Sequence, residues 1–254
     1  MRVALGIEYD GTSYNGWQRQ KTGLGVQQRV EEALEVVANH PVDIVCAGRT
    51  DTGVHASGQV VHFDTSSQRS ERGWLLGANT NLPDDVNVSW VRPVSDDFHA
   101  RFSAVSRSYR YRILNRLQRS ALHRHRAWWV YEALHAESMH AAAQRLLGEH
   151  DFSAFRAAGC QASTAIRTIS DISVSRSGDW LTLDITANAF LQHMVRNIVG
   201  TLATVGLGEQ DACWVTDVLE SRDRKAGGIA APPHGLTLVG VAYPAEFGLP
   251  LAGC

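Results

Sequence analysis

The amino-acid sequence predicts an α+β fold with two ferredoxin-like (βαββαβ) subdomains, each an antiparallel sheet backed by helices. The chain has 254 residues, which is enough for two ordinary domains. Stretches that alternate apolar and polar residues, typical of strands, are interleaved with stretches of apolar residues at helical spacing. The order of these stretches recurs in the second half of the chain. We therefore expect subdomains over 1–104 and 105–245, a tail over 246–254 and a cleft between the two sheets.

The first half contains four predicted strands and two predicted helices. Alternating apolar residues predict a strand over 3–9, and apolar residues at helical spacing predict an amphipathic helix over 26–39. The other predicted elements are strands at 42–47, 58–63 and 86–91 and a helix at 71–79.

The second half repeats this order without visible sequence identity to the first half. Tyrosines alternate with arginines in the first strand, at 109–113, which predicts one aromatic face and one basic face. A helix over 139–147 is expected to stop at Gly148. The remaining predicted elements are strands at about 167–175, 180–186 and 236–243 and helices at about 188–205 and 211–220.

Composition excludes several classes of protein. A hydrophobic content of 44% and a net charge of -2 exclude a disordered chain. The four cysteines lie far apart with no CxxC pair, which argues against a disulfide scaffold or a zinc site and is typical of reduced cytosolic thiols. The N-terminus lacks a signal-peptide pattern, and no apolar stretch is long enough for a membrane helix. We expect a cytoplasmic protein without a membrane partner.

Basic charge is concentrated in one stretch. Between Phe98 and Tyr131 the chain has no Asp or Glu but has eight arginines, which would create a positive field that suits RNA phosphates. The alternative is a solvated face whose acidic partners lie elsewhere in the chain. The candidate phosphate contacts are Arg101, Arg107, Arg110 and Arg112.

The segment GRTDTGVHA, residues 48–56, is the strongest candidate for chemistry. It joins two predicted strands, and Gly48 and Gly53 permit tight backbone geometry around Asp51. A carboxylate there could be a base or a nucleophile, or Asp51 could only close a turn with Arg49 as its ion-pair partner. The tripeptide Asp51-Thr52-Gly53 also occurs in aspartic proteases, but these need two such carboxylates and this chain has one copy.

Histidines nearby do not predict a metal site. His55 and His62 lack a third ligand close in sequence, so we expect them to be core or hydrogen-bonding residues.

Five sequence blocks together resemble the tRNA pseudouridine synthase A family, and they span nearly the full chain in order. The long second block is the most specific and is similar to the family's catalytic block. The blocks are YDGTSYNGWQRQ at 9–20, GRTDTGVHASGQVVHF at 48–63, FHARFSAVSRSYRYRI at 98–113, FLQHMVRNIVG at 190–200 and PPHGLTLVGVAYP at 232–244.

The resemblance implies an isomerase that converts uridine to pseudouridine in the anticodon stem-loop of tRNA, at the three positions just beyond the anticodon. It also implies base flipping, no cofactor, no metal and a homodimer. Asp51 matches the nucleophile, Arg196 its charged partner, and Tyr109 the tyrosine against the target base. Arg49 is expected to fill the space left by the flipped base or to bind a phosphate. Trp128 and Trp129 would suit a dimer interface.

Two other functions compete with this one. A non-catalytic RNA-binding module would use the same subdomains and arginines but would not need Asp51 in a glycine-flanked loop. The second competing function is a hydrolase whose active site is built on Asp51-Thr52-Gly53. The residues leave open whether the carboxylate attacks the sugar or the pyrimidine ring.

Overall fold

The computed structural model describes residues 1–250, which form an α+β protein with ten mostly antiparallel strands and five α-helices. Contacts divide the chain into two units: Met1–Ser106 together with the segment from Leu238 onward, and Arg107–Thr237. The subdomain limits 1–104 and 105–245 stay a prediction. The expected tail, 246–254, begins in a short 3₁₀ turn at Ala245–Phe247, and 251–254 lie outside the described residues.

The first unit follows the predicted β-α-β-β-α-β order. Strand β1 pairs antiparallel with both β3 and β4, β2 pairs with β3, and the last strand of the chain, β10, lies next to β3. The elements are β1 (Arg2–Tyr9), α1 (Val26–Ala38), β2 (Val45–Cys46), β3 (His55–Asp64), α2 (Glu71–Asn81), β4 (Val86–Val94) and β10 (Leu236–Ala242).

Small and apolar residues explain why β1 is the central strand of this unit. Leu5 and Ile7 are fully buried on one face. On the other face Gly6 makes room for the indole of Trp90, since a Cβ at Gly6 would lie 2.1 Å from Trp90 Nε1. Helix α1 ends at Asn39, whose φ of 59° is the left-handed conformation that stops a helix. The predicted helix 26–39 is thereby confirmed.

The second unit contains a sheet in the order β5-β9-β8-β7, with antiparallel pairing throughout, and β6 adds in parallel to β5. The short strands β6 and β7 are not predicted from the sequence. The elements are β5 (Ser106–Asn115), β6 (Trp128–Val130), α3 (Ala136–Gln144), β7 (Gly148–Asp151), β8 (Ile166–Ser177), β9 (Trp180–Ala187), α4 (Met194–Gly206) and α5 (Trp214–Ser221).

The predicted helix over 188–205 is wrong at its start, because α4 begins only at Met194. The side chain of Asn188 accepts the backbone N–H groups of Thr168 and Ala189 at 3.1 and 2.8 Å, which holds the chain beside β8. His193 then turns the chain with a φ of 62°. Phe190, expected on the helix stripe, lies outside the helix.

Two other predicted elements differ in extent. The strand expected over 42–47 is reduced to the two residues of β2. The helix expected over 139–147 ends at Gln144, three residues earlier than predicted. Gly148, with a φ of 95°, already belongs to β7. Within 1–250, no helix is both long and apolar enough to cross a membrane.

Candidate active site

The loop that carries Asp51 lies between β2 and β3 and is fixed by backbone hydrogen bonds. The Thr50 carbonyl accepts the N–H of Trp17 at 3.0 Å, and the N–H of Gly53 donates to the Tyr14 carbonyl at 3.3 Å. Gly53 has a φ of 76°, a conformation that glycine adopts without strain. The glycine-rich segment 48–56 and the block 9–20 therefore form one rigid substructure around Asp51.

Gly16 lets these two segments come together. It has a φ of 89°, and a Cβ on it would lie 2.6 Å from the Thr50 carbonyl oxygen. On the opposite side, the hydroxyls of Tyr9 and Thr50 are hydrogen-bonded at 2.7 Å. The backbone on either side of Asp51 is thus set by packing rather than by the loop alone.

The side chains of the loop differ in exposure. Asp51 is half-buried, and Arg49 is exposed. Burial raises the pKa of the nearby Cys46 thiol to about 11, and the charges of Arg49 and Arg101 oppose that rise.

Tyr109 lies in the second unit, on the buried face of β5. Its side chain is 8% exposed, and its ring meets Phe190 edge-on with centroids 5.0 Å apart. Tyr111, on the same face, is a core residue as expected, and its hydroxyl donates to the Pro232 carbonyl at 2.7 Å. Burial raises the pKa of Tyr111, and the charge of Arg196 opposes that rise. The two side chains donate to consecutive carbonyls, Arg196 to Ala231 and Tyr111 to Pro232.

Arg196, in the first turn of α4, is half-buried and does not extend freely into solvent. Its Nε donates to the Ala231 carbonyl at 2.8 Å, and the N–H of Ala231 donates back to the Arg196 carbonyl at 3.0 Å. The helix can approach this segment because Gly200 has no Cβ, which would lie 1.7 Å from the Ile229 carbonyl oxygen. The sequence does not predict this clamp, the pair of hydrogen bonds between Arg196 and Ala231. Its only signal is the glycine pair at 227–228 before the PPHGL block.

The four arginines predicted to contact phosphates have different surroundings. Arg107 is buried on the tyrosine face of β5 and donates to the Asn188 carbonyl at 2.9 Å. The exposed Arg110 forms an ion pair with Asp184 at 2.7 Å. Arg112 lies over the ring of Trp180, and Arg101 lies over the ring of Phe102. Their contacts with RNA stay a prediction.

The two histidines that were expected to form hydrogen bonds in the core do so. Both are buried, and their Nδ1 atoms accept backbone N–H groups: Gly11 at 3.0 Å for His55 and Ala100 at 3.1 Å for His62. Within residues 1–250, no cluster of three or more His, Cys, Asp or Glu side chains could hold a metal ion.

Comparison with known proteins identifies the family. A family model described as tRNA pseudouridine synthase matches residues 6–103 and 142–244. The chain is 56% identical over 250 residues to tRNA pseudouridine synthase A of Pseudoalteromonas atlantica, covering 98% of this chain and 95% of the relative. It is 54% identical over 250 residues to the enzyme of the same name from Shewanella amazonensis, covering 98% and 96%. For the one from Methylococcus capsulatus the identity is 55% over 249 residues, covering 98% and 92%.

Proposed function

The chain belongs to the tRNA pseudouridine synthase family, and we propose that it forms pseudouridine at the three positions just beyond the anticodon of tRNA. It is an isomerase that acts on tRNA uridine. The observation that carries the proposal for this chain's own residues is Asp51, a half-buried carboxylate on a loop whose backbone is fixed on both sides.

The isomerisation needs one nucleophile and no net gain or loss of atoms. The bond between ribose C1′ and uracil N1 breaks, the base turns, and uracil C5 bonds to C1′ while its proton moves to N1. The Asp51 carboxylate can bond to C1′ as the glycosidic bond breaks, as in retaining glycosidases, or can add to the pyrimidine ring. On either route the carboxylate is released when the new carbon–carbon bond is complete.

Three other side chains complete the proposed site. Arg196 is the proposed charged partner of the reacting carboxylate, and its Nε donates to the Ala231 carbonyl. Tyr109 lies against the flipped base and assists removal of the C5 proton, and Phe190 supports its ring. Arg49, which is exposed, fills the space that the base leaves or binds a phosphate.

The proposal extends to fold, partner and compartment. The two units are variants of ferredoxin-like subdomains, the protein acts on tRNA in the cytoplasm, and Arg101, Arg107, Arg110 and Arg112 bind the tRNA phosphates. The β-α-β-β-α-β order of the first unit supports this. The enzyme is a homodimer. Of the two tryptophans expected at its interface, Trp129 is 40% exposed, whereas Trp128 is half-buried with its ring edge-on to that of Tyr111.

The test is an assay for pseudouridine after incubation with unmodified tRNA. We expect product from the wild type and none from Asp51→Ala or Asp51→Asn, with tRNA affinity retained in both variants. The isosteric Asp51→Asn is the matched control because it keeps the size of the side chain and removes its charge. Normal turnover by either variant would remove Asp51 from the mechanism. Binding of tRNA without product from the wild type would instead identify an RNA-binding module.

A further inference from the structure

One large aromatic side chain of the first unit lies on its surface. Phe102 is 76% exposed, whereas Phe63 and Phe98 of the same unit are fully buried. It belongs to the arginine-rich stretch but is not one of the residues assigned above. Resting on the proposed function, we propose that the Phe102 ring is a stacking platform for one base of the tRNA substrate, with Arg101 binding the adjacent phosphate.

The ring is held rigidly by its own turn. It stacks on the imidazole of His99, with centroids 4.3 Å apart and planes inclined by 27°. His99 Nδ1 accepts the backbone N–H groups of Arg101 and Phe102 at 3.2 and 3.1 Å. Ser103 closes the turn, since its N–H donates to the His99 carbonyl at 2.9 Å. The Phe102 ring is therefore presented in one orientation, with His99 stacked on it and the Arg101 guanidinium carbon 5.6 Å from its centroid. A base that stacks opposite His99 takes the place of the guanidinium, which turns to the adjacent phosphate.

The turn is fastened to the core as well. The N–H of Ala100 donates to buried His62 at 3.1 Å, and the Tyr243 hydroxyl donates to the Ala100 carbonyl at 2.6 Å. Arg2 donates to the Phe98 carbonyl at 2.8 Å. A ligand that stacks on Phe102 therefore loses little free energy to ordering the protein.

The positive charge beside the ring indicates that the ligand is a nucleotide. The Arg101 guanidinium carbon lies 5.6 Å from the ring centroid. A nucleotide offers a flat base for the ring and an anionic phosphate for the guanidinium, whereas an apolar protein surface offers only the first. The turn is joined to β3 at His62, which pairs in register with Val45 of β2, the strand that precedes the loop of Asp51. The base that the platform holds is therefore assigned to the same stem-loop that the enzyme modifies.

The test measures the Kd of tRNA for variants of the full-length protein at several salt concentrations. Phe102→Ala is expected to weaken binding between about 5- and 150-fold, the range for one stacked base, without changing the salt dependence. Phe102→Trp should bind like the wild type, and Phe102→Leu like Phe102→Ala. Arg101→Ala should reduce the slope of log K against log salt by about one. Val36→Ala, which truncates an apolar side chain 65% exposed on α1 and outside the arginine-rich stretch, is the matched control and should bind normally.

Three outcomes would overturn the platform. They are an unchanged Kd for Phe102→Ala, equal binding by Phe102→Leu and Phe102→Trp, and a changed oligomeric state in Phe102→Ala with normal tRNA affinity. The exposed position predicts an unaltered Tm for every Phe102 variant, so a loss of binding is not a loss of fold. Absence of pseudouridine from the wild type would contradict the proposed function alone, because the comparison of Kd values still decides the role of Phe102.

Discussion

Replacing His62 with asparagine should make the stability of the protein less sensitive to acid. His62 is 4% exposed, and burial lowers the pKa of its imidazole from 6.5 to about 4, with Arg2 and His99 acting in the same direction and Asp64 against it. Its Nδ1 also accepts the N–H of Ala100, so the folded protein needs the neutral ring. Asn Oδ1 can accept the same hydrogen bond and does not titrate.

The size of the effect follows from the two pKa values. Below pH 6.5 the unfolded chain binds a proton at His62, whereas the folded chain does not until about pH 4, so stability is lost as the pH falls. For this pair of values the linkage relation gives a loss of about 2 kcal/mol between roughly pH 7.5 and pH 5. The loss approaches about 3 kcal/mol at still lower pH.

The assay is urea unfolding of wild type, His62→Asn and His62→Gln at a series of pH values. Both variants should lack the loss of about 2 kcal/mol that the wild type shows on acidification. Only His62→Gln should also be less stable at neutral pH through loss of the acceptor, because Gln places its oxygen elsewhere. Equal pH dependence in all three proteins would refute the assignment of a depressed pKa to His62.

Three further predictions concern the site and its substrate. Arg49→Ala should lower kcat/KM by about 10-fold or more through loss of a charged contact, yet change the free energy of unfolding by less than about 0.5 kcal/mol because Arg49 is exposed; normal turnover of tRNA would contradict this. Binding of tRNA should weaken at least about 10-fold between roughly 50 and 200 mM salt, and a flat response would exclude electrostatic docking. Gly16→Ala should destabilise the fold by about 1–3 kcal/mol in urea unfolding, because a Cβ would lie 2.6 Å from the Thr50 carbonyl oxygen; a stable, fully active variant would show that the loop of Asp51 can yield.

The sequence predicts most reliably those elements that are determined by residues close together in the chain. Helix α1 was predicted correctly because its apolar spacing and the turn at Asn39 are local signals. Strand β7 was missed because it has no apolar alternation and exists through its pairing with β8. The start of α4 was misplaced because Phe190 has the spacing of a helix residue, while the hydrogen bonds of Asn188 to β8 decide its real conformation.

The candidate site shows the same division. Asp51 is singled out because polar residues between two apolar strands are unusual, and its role stays a prediction. What the structure adds is that backbone hydrogen bonds fix its loop. The surroundings of Arg107 were not foreseen. It lies two residues before Tyr109 and therefore on the same buried face of β5, which the two-residue period of a strand predicts. The stacked pair of His99 and Phe102 has no sequence pattern that distinguishes an exposed ring from a core one.

The clamp between Arg196 and Ala231 makes the proposed role of Arg196 depend on the length of one loop. The carbonyl that orients the guanidinium lies 35 residues further along the chain. Inserting or deleting one residue between the end of α5 and Pro232 would displace that carbonyl, and would also displace the acceptor of the Tyr111 hydroxyl. Such a change alters no proposed functional side chain. It would nevertheless remove the hydrogen bond that orients the Arg196 guanidinium, and we expect it to impair the function of Arg196 as a substitution of that residue would.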